Sequence, residues 1–134
     1  MSVLEALALE DVRPMVAQIL APTATDDLEV HIDYPDSVEP PALVIVWADP
    51  WLEQPVAMGP CELIANMDVL CVGSRIEPGP GIDQVERLVV YTIDRMRSDV
   101  HRWPLRTSQQ PREWIIGGPH YLAARLGYRV PVNV

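Results

Sequence analysis

The apolar and polar positions of this chain fall into two periods. Residues 28–34 alternate strictly. Leu28, Val30, Ile32 and Tyr34 fall on one side and Glu29, His31 and Asp33 on the other, which predicts a half-buried strand. Residues 42–48 (ALVIVWA) are a short unbroken apolar run rich in β-branched side chains, as expected of a central strand covered on both faces. Residues 61–74 predict a long strand with Cys61, Leu63, Ala65, Met67, Val69 and Cys71 on one face. Its other face begins polar (Glu62, Asn66, Asp68) and ends apolar (Leu70, Val72), so one end of the strand is expected to project from the core. Residues 121–132 predict the last strand, with Leu122, Ala124, Leu126, Tyr128 and Val130 opposite Ala123, Arg125 and Arg129, and residues 113–117 (EWIIG) a short one.

Helical spacing appears twice. Val12, Met15, Val16, Ile19 and Leu20 predict a helix over 11–20, with Asp11 as N-cap and Pro14 in the tolerant first turn. Residues 2–9 are also helix-prone. Ile82, Val85, Val89, Met96 and Val100, with Ile93 beside them, predict a second helix over 82–100, in which Asp83 and Arg87 stand at i,i+4. Turn residues fill 75–81, and 103–112 (WPLRTSQQPR) reads as a loop. Residues 49–60 (DPWLEQPVAMGP) hold three prolines and read as a loop between strands. Trp51 and Leu52 are large apolar residues for such a setting. Either they fold back on the core or they present a docking loop to a partner. The order of elements implies an α+β fold: one domain over 1–134, with a small mixed or antiparallel sheet and two main helices packed on one face.

Charge sharpens this picture. The 134 residues carry 19 acids, 10 arginines, no lysine and no phenylalanine, for a net charge of −9. A generic nucleic-acid binder, which needs a basic footprint to release counterions, is excluded. An apolar fraction of 49% argues against a disordered chain. No apolar run reaches the ~18 residues of a membrane span, and residues 1–9 carry Glu5 and no basic segment, so no secretory leader is expected there. The lack of Lys and Phe, with 14 prolines, reads as high-GC codon usage. The charge is also divided. Residues 1–68 hold one arginine and 13 acids, a sum of −12, whereas residues 69–134 hold nine arginines and six acids, a sum of +3. The halves can neutralise each other within one domain, or an acidic face of one copy can meet a basic face of the next, as in a head-to-tail ring.

Catalytic chemistry is not evident in the pattern. His31, His101 and His120 are isolated and lack metal-ligand spacing. The serines have no nucleophile-elbow context, and Gly79-Pro80-Gly81 lacks the amides of a phosphate loop. Asp26, Asp27, Asp33 and Asp36 do not follow a calcium-loop spacing. Cys61 and Cys71 would lie about 33 Å apart along one strand, too far to pair, and are expected to be reduced. No cofactor, metal or enzymatic activity is expected.

The apolar strand at 41–47 (PALVIVW), the long strand at 61–74 ending in a sharp turn, the helix at 81–99 (GIDQVERLVVYTIDRMRSD) and the closing strand at 121–134 (YLAARLGYRVPVNV) together resemble the tail terminator, or tail completion, proteins of long-tailed bacteriophages. The likeness covers residues 10–134 as an order of elements and contains no diagnostic short motif. It implies a small mixed sheet flanked by two helices. It also implies a homo-oligomer, a hexameric ring at the head-proximal end of the tail tube that ends tube growth and offers a joining surface to the neck. The implied partners are the major tail tube protein, neck or head-completion proteins, and viral DNA passing through the pore without specific binding. The implied location is the tail and neck of the virion, assembled in the host cytoplasm, with no membrane contact. On this view Trp51, Leu52 and Glu53 are expected to dock on the tube or a neck protein. Arg75, Arg87, Arg95 and Arg97 are expected to meet Asp26, Asp27, Glu29 and Asp33 of a neighbouring subunit. Two other readings stand beside it: a head-closure or adaptor protein of the same neck, and a small cytosolic enzyme or ligand-binding domain.

Overall fold

The computed structural model describes residues 7–22, 28–54, 62–74 and 78–133. The chain is mixed α+β, mostly strand, with two α-helices. A two-residue strand β1 (Leu7–Ala8) leads through a 3₁₀ turn (Leu9–Asp11) into α1 (Val12–Leu20). Strands β2 (Glu29–Ile32), β3 (Ala42–Glu53) and β4 (Glu62–Gly73) follow, then α2 (Pro78–Ser98), β5 (Leu105–Ile115) and β6 (His120–Asn133). All six strands join one sheet in the order β1-β6-β4-β3-β2, with β5 also on the outer side of β6. The pairs β3–β4, β4–β6 and β5–β6 are antiparallel, whereas β2–β3 and β1–β6 are parallel.

Period-two alternation in the central strands divides the core in two. Leu43 and Ile45 of β3, Met67, Val69 and Cys71 of β4, and Leu126, Tyr128 and Val130 of β6 are buried in one apolar cluster. That cluster also takes Val12, Val16 and Leu20 from α1 and Val85, Leu88 and Met96 from α2. The residues between them face the other way. Ala42, Val44 and Val46 pack with Leu70, Val72, Ala123 and Tyr121, and with Ile116 and Val38 from the surrounding chain. Both predicted faces of the apolar run at 42–48 are therefore buried.

The second cluster is closed without a helix. Because β2 and β3 are parallel neighbours, residues 33–41 must cross back along the sheet, and this crossover places Val38 in the cluster. The corner between β5 and β6 meets it there. The Tyr121 hydroxyl accepts from the Val38 amide and donates to the Val38 carbonyl, both at 3.1 Å. Gly117 has φ +66°, and a Cβ there would lie 1.7 Å from the Asp36 carbonyl oxygen, so only glycine lets the corner approach this closely.

Several elements differ from the pattern-based expectation. Leu7–Ala8 is extended rather than helical, because it pairs with Val132 and Asn133 of β6. Asp11 has helical backbone angles and its side chain makes no capping bond, since the 3₁₀ turn runs directly into α1. The second helix starts at Pro78, where missing amides cost nothing in a first turn. Its buried side is Val85, Leu88, Thr92 and Met96, while Ile82 and Val100 are exposed. The loop expected at 103–112 is most of β5. That strand is polar on both faces because it lies at the sheet border, and a bulge between Gln109 and Arg112 accommodates Pro111.

Replacing Tyr121 by Phe leaves the buried Val38 amide without its partner and is expected to cost about 1–3 kcal/mol. Gly117→Ala is expected to cost more, because it adds a backbone clash to an unfavourable φ. Urea unfolding of both variants checks the order.

Candidate functional site

β3 does not end at Ala48. It continues to Glu53 after an irregularity in which four residues, 48–51, stand opposite the single residue Asn66 of β4. Asn66 holds this bulge, donating from Nδ2 to the Pro50 carbonyl at 2.9 Å. Trp51 returns over Trp47, with ring centroids 5.5 Å apart. The Arg13 guanidinium lies 5.2 Å from the Trp47 ring and pairs with Asp33 at 2.8 Å. Leu52 packs on the main apolar cluster, and Glu53 stands 3.9 Å from Arg129. The 49–60 segment is thus not a free loop over its first part. Trp51 to Glu53 belong to a strand end, with Trp51 still 44% exposed.

The other predicted contact residues are spread over the molecule. Glu29 is on β2 and hydrogen-bonds His31 at 2.8 Å; Asp33 follows with φ +76°. Arg87, Arg95 and Arg97 lie on α2 but not on one side of it, because 100° per residue turns Arg95 and Arg97 far apart. Arg95 lies over Tyr91, whose hydroxyl donates to the Leu20 carbonyl of α1. Arg97 lines a cavity of about 230 Å³ with Arg102, Trp103 and Leu105, on the β5 side. Among the described residues no ion pair joins Arg87 or Arg97 to Glu29 or Asp33, which pair with His31 and Arg13. Asp26, Asp27, Arg75 and Cys61 lie outside the described residues.

A group that sequence reasoning missed sits on the second face of the sheet. The polar half of β4 does not project: Asn66 is 1% and Asp68 5% exposed. Asp68 Oδ2 lies 3.6 Å from Arg125 Nη1. Gly127, opposite Asp68 in β6, makes room for the carboxylate; a Cβ there would come within 3.2 Å of Oδ1. Burial pushes the Asp68 carboxyl above its ordinary range, and the charges of Arg125 and Arg106 only partly offset this. Tyr34, on the crossover, is also pushed up, by burial first and then by the Asp68 charge. The Asn66 Oδ1 and the Arg125 and Arg129 Nε atoms are buried without a hydrogen-bond partner. The available signal was a polar pair inside an otherwise apolar strand; the register that joins it to Arg125 was not readable from spacing.

No protein-family model matches this sequence, and no curated protein matches it significantly. The remaining reactive side chains are occupied. Each histidine has a carboxylate neighbour: Glu29 for His31, Asp99 for His101 and Glu113 for His120. Burial tends to raise the Asp99 carboxyl, but hydrogen bonds from the His101 ring and amide more than offset it and hold it below its usual range. Burial pushes the Cys71 thiol up to about 12, with Thr92 as a weak partner at 3.7 Å, so it is a core thiol rather than a nucleophile. Among the described residues no group of three or more His, Cys, Asp or Glu is placed to hold a metal ion, and no helix is long and apolar enough to cross a membrane.

The Asp68 carboxyl binds its proton more tightly in the folded chain than in the unfolded one. Stability from this group therefore falls as pH rises from its ordinary value to the raised one. Asp68→Asn is expected to melt at or above the wild type at pH 7, with the difference closing toward about pH 4. A variant that melts lower at pH 7 would show that the Arg125 contact outweighs the burial of charge. Thermal melts at several pH values decide this.

Proposed function

We propose that this chain is a tail terminator of a long-tailed bacteriophage. Copies of it form a ring at the head-proximal end of the tail tube, stop tube polymerisation and present the joining surface to neck proteins. The observation that carries the reading is the chain's division of charge, −12 over residues 1–68 and +3 over residues 69–134, on a mixed sheet with two helices. We take the helices to lie together on one sheet face, because both contribute to the same apolar cluster. Among the described residues β2 and β5 each have one strand neighbour, which leaves room for a neighbouring copy. The net charge of −9 supports a pore through which DNA slides, since a lining poor in cations does not release counterions from phosphate. The role is structural, with no catalytic step and no cofactor. Trp51 keeps an exposed ring at the end of β3 and is the anchor we assign to the tube or neck contact. Leu52 and Glu53 follow it in the strand, the first packed on the main cluster and the second facing Arg129.

Electron microscopy of a phage lysate lacking this chain tests the reading. Overlong tails are the expected result. Detached tails of normal length with unsealed heads would assign the chain to the neck instead, and normal virions would exclude both. Arg95→Glu combined with Arg97→Glu is expected to break the assembly into smaller species at low salt. A ring that survives at both low and high salt removes these arginines from the subunit contact.

A further inference from the structure

Where α2 ends, a cavity of about 230 Å³ opens between the last turns of the helix, the connection to β5, and β6. Ile93 and Met96 from α2, with Trp103 and Leu105 from the connection and the start of β5, give it apolar walls. His101 stacks on Trp103 with ring centroids 4.7 Å apart and steadies the indole there. Tyr128 of β6 also lines the cavity and is 2% exposed. No hydrogen bond joins its hydroxyl to another described residue. Burial pushes that hydroxyl up to about 12, against the opposing charge of Arg97, so at neutral pH it is an uncharged donor.

Two arginines line the same space, Arg97 in the last turn of α2 and Arg102 in the connection. Among the described residues neither is paired with an acid or lies over an aromatic ring. Asp99 is the sole acid in residues 95–112, and the His101 amide and ring take it up at 3.0 and 2.6 Å. Asp94, one turn before Arg97, makes no ion pair with it. The C-terminal end of a helix favours a cation, which accounts for Arg97. Arg102 lies beyond the helix and is in excess. It holds its place at φ +48°, a conformation few residues with a side chain adopt.

Apolar walls, two unanswered cations and one unpaired donor suit an anion with a short apolar body. The volume lies below the ~300–1,000 Å³ of drug-sized sites, so the ligand is small. A protein partner fits less well, because its footprint needs a wide surface with an apolar centre. Of the cavity's residues, only Leu105 is a large hydrophobic that stands exposed.

We propose that this cavity binds a small organic carboxylate with a short apolar tail. Arg97 and Arg102 pair with the carboxylate, the Tyr128 hydroxyl donates to it, and the tail lies against Ile93, Met96 and Trp103. The site does not depend on the ring assignment. It shares Arg97 with the subunit contact proposed above but not Arg102, so a change at Arg102 separates the two.

Amide chemical-shift titration of the full chain with hexanoate tests the proposal. Saturable shifts centred on residues 93–105 and on Tyr128 are expected. Acetate, which lacks the tail, and hexanamide, which lacks the charge, are each expected to bind at least about tenfold more weakly. Arg97→Gln combined with Arg102→Asn is expected to weaken hexanoate by a similar factor and to leave the melting temperature of the free chain unchanged, since asparagine tolerates the backbone angle at 102. Arg106→Gln combined with Arg112→Gln removes as much charge outside the cavity and is expected to bind like wild type. If the first pair does not fold, Arg102→Asn alone takes its place. Absence of saturable shifts, shifts centred elsewhere, equal affinity for acetate or hexanamide, or full affinity without the two cavity arginines would each overturn the proposal. The ring reading fails separately, on the lysate, if tails are normal in length.

Discussion

A strand that is apolar on both faces has to be covered twice, and the rest of the structure follows from this requirement. β3 and β4 place buried residues on either side of the sheet along most of their length. One side receives the apolar stripes of α1 and α2. The other has no helix available and is closed by a short crossover, one tyrosine hydroxyl and a glycine corner. Those covers reach only part of that side. The remainder carries Asn66 and Asp68, whose polarity is tolerated because Pro50, Arg125 and the space over Gly127 meet them.

What was legible in the sequence was whatever burial imposes. Strands 28–34, 42–48, 61–74 and 121–132 and the first helix were readable because a buried face enforces its period on the residues. Of β5 only the end near 113–115 was readable, because the half-buried positions before it are Thr107, Gln109 and Pro111, which show no apolar period. The prolines of 49–60 signalled a loop, yet Asn66 lets the strand resume beyond Pro50. The buried side of α2 was misjudged because it includes Thr92, a polar residue, while two of the apolar residues that seemed to mark it, Ile82 and Val100, face outward. The Asp68 group depends on which residues of β4 and β6 stand opposite one another, a relation between distant segments that neither segment encodes alone.

The division of charge also takes a more detailed form in three dimensions. Part of it is spent within the chain: Arg13 on Asp33, Arg125 on Asp68, Arg129 near Glu53, with Arg95 and Arg112 lying over aromatic rings. The exposed pairs contribute little to stability, whereas Asp68 is buried beside its arginine. The rest is spread over the surface, with Asp83, Glu86, Arg87, Asp94 and Arg97 exposed along α2.

The bulge at Pro111 in β5 has a consequence of its own. A long, flat, unpaired strand invites indefinite stacking of chains and, in the extreme, fibrils. The bulge cuts β5 into two short flat stretches, and the proline withholds an amide that any incoming strand would need. Any strand added at this border would therefore find only a few consecutive groups to pair with, which guards the border against indefinite growth.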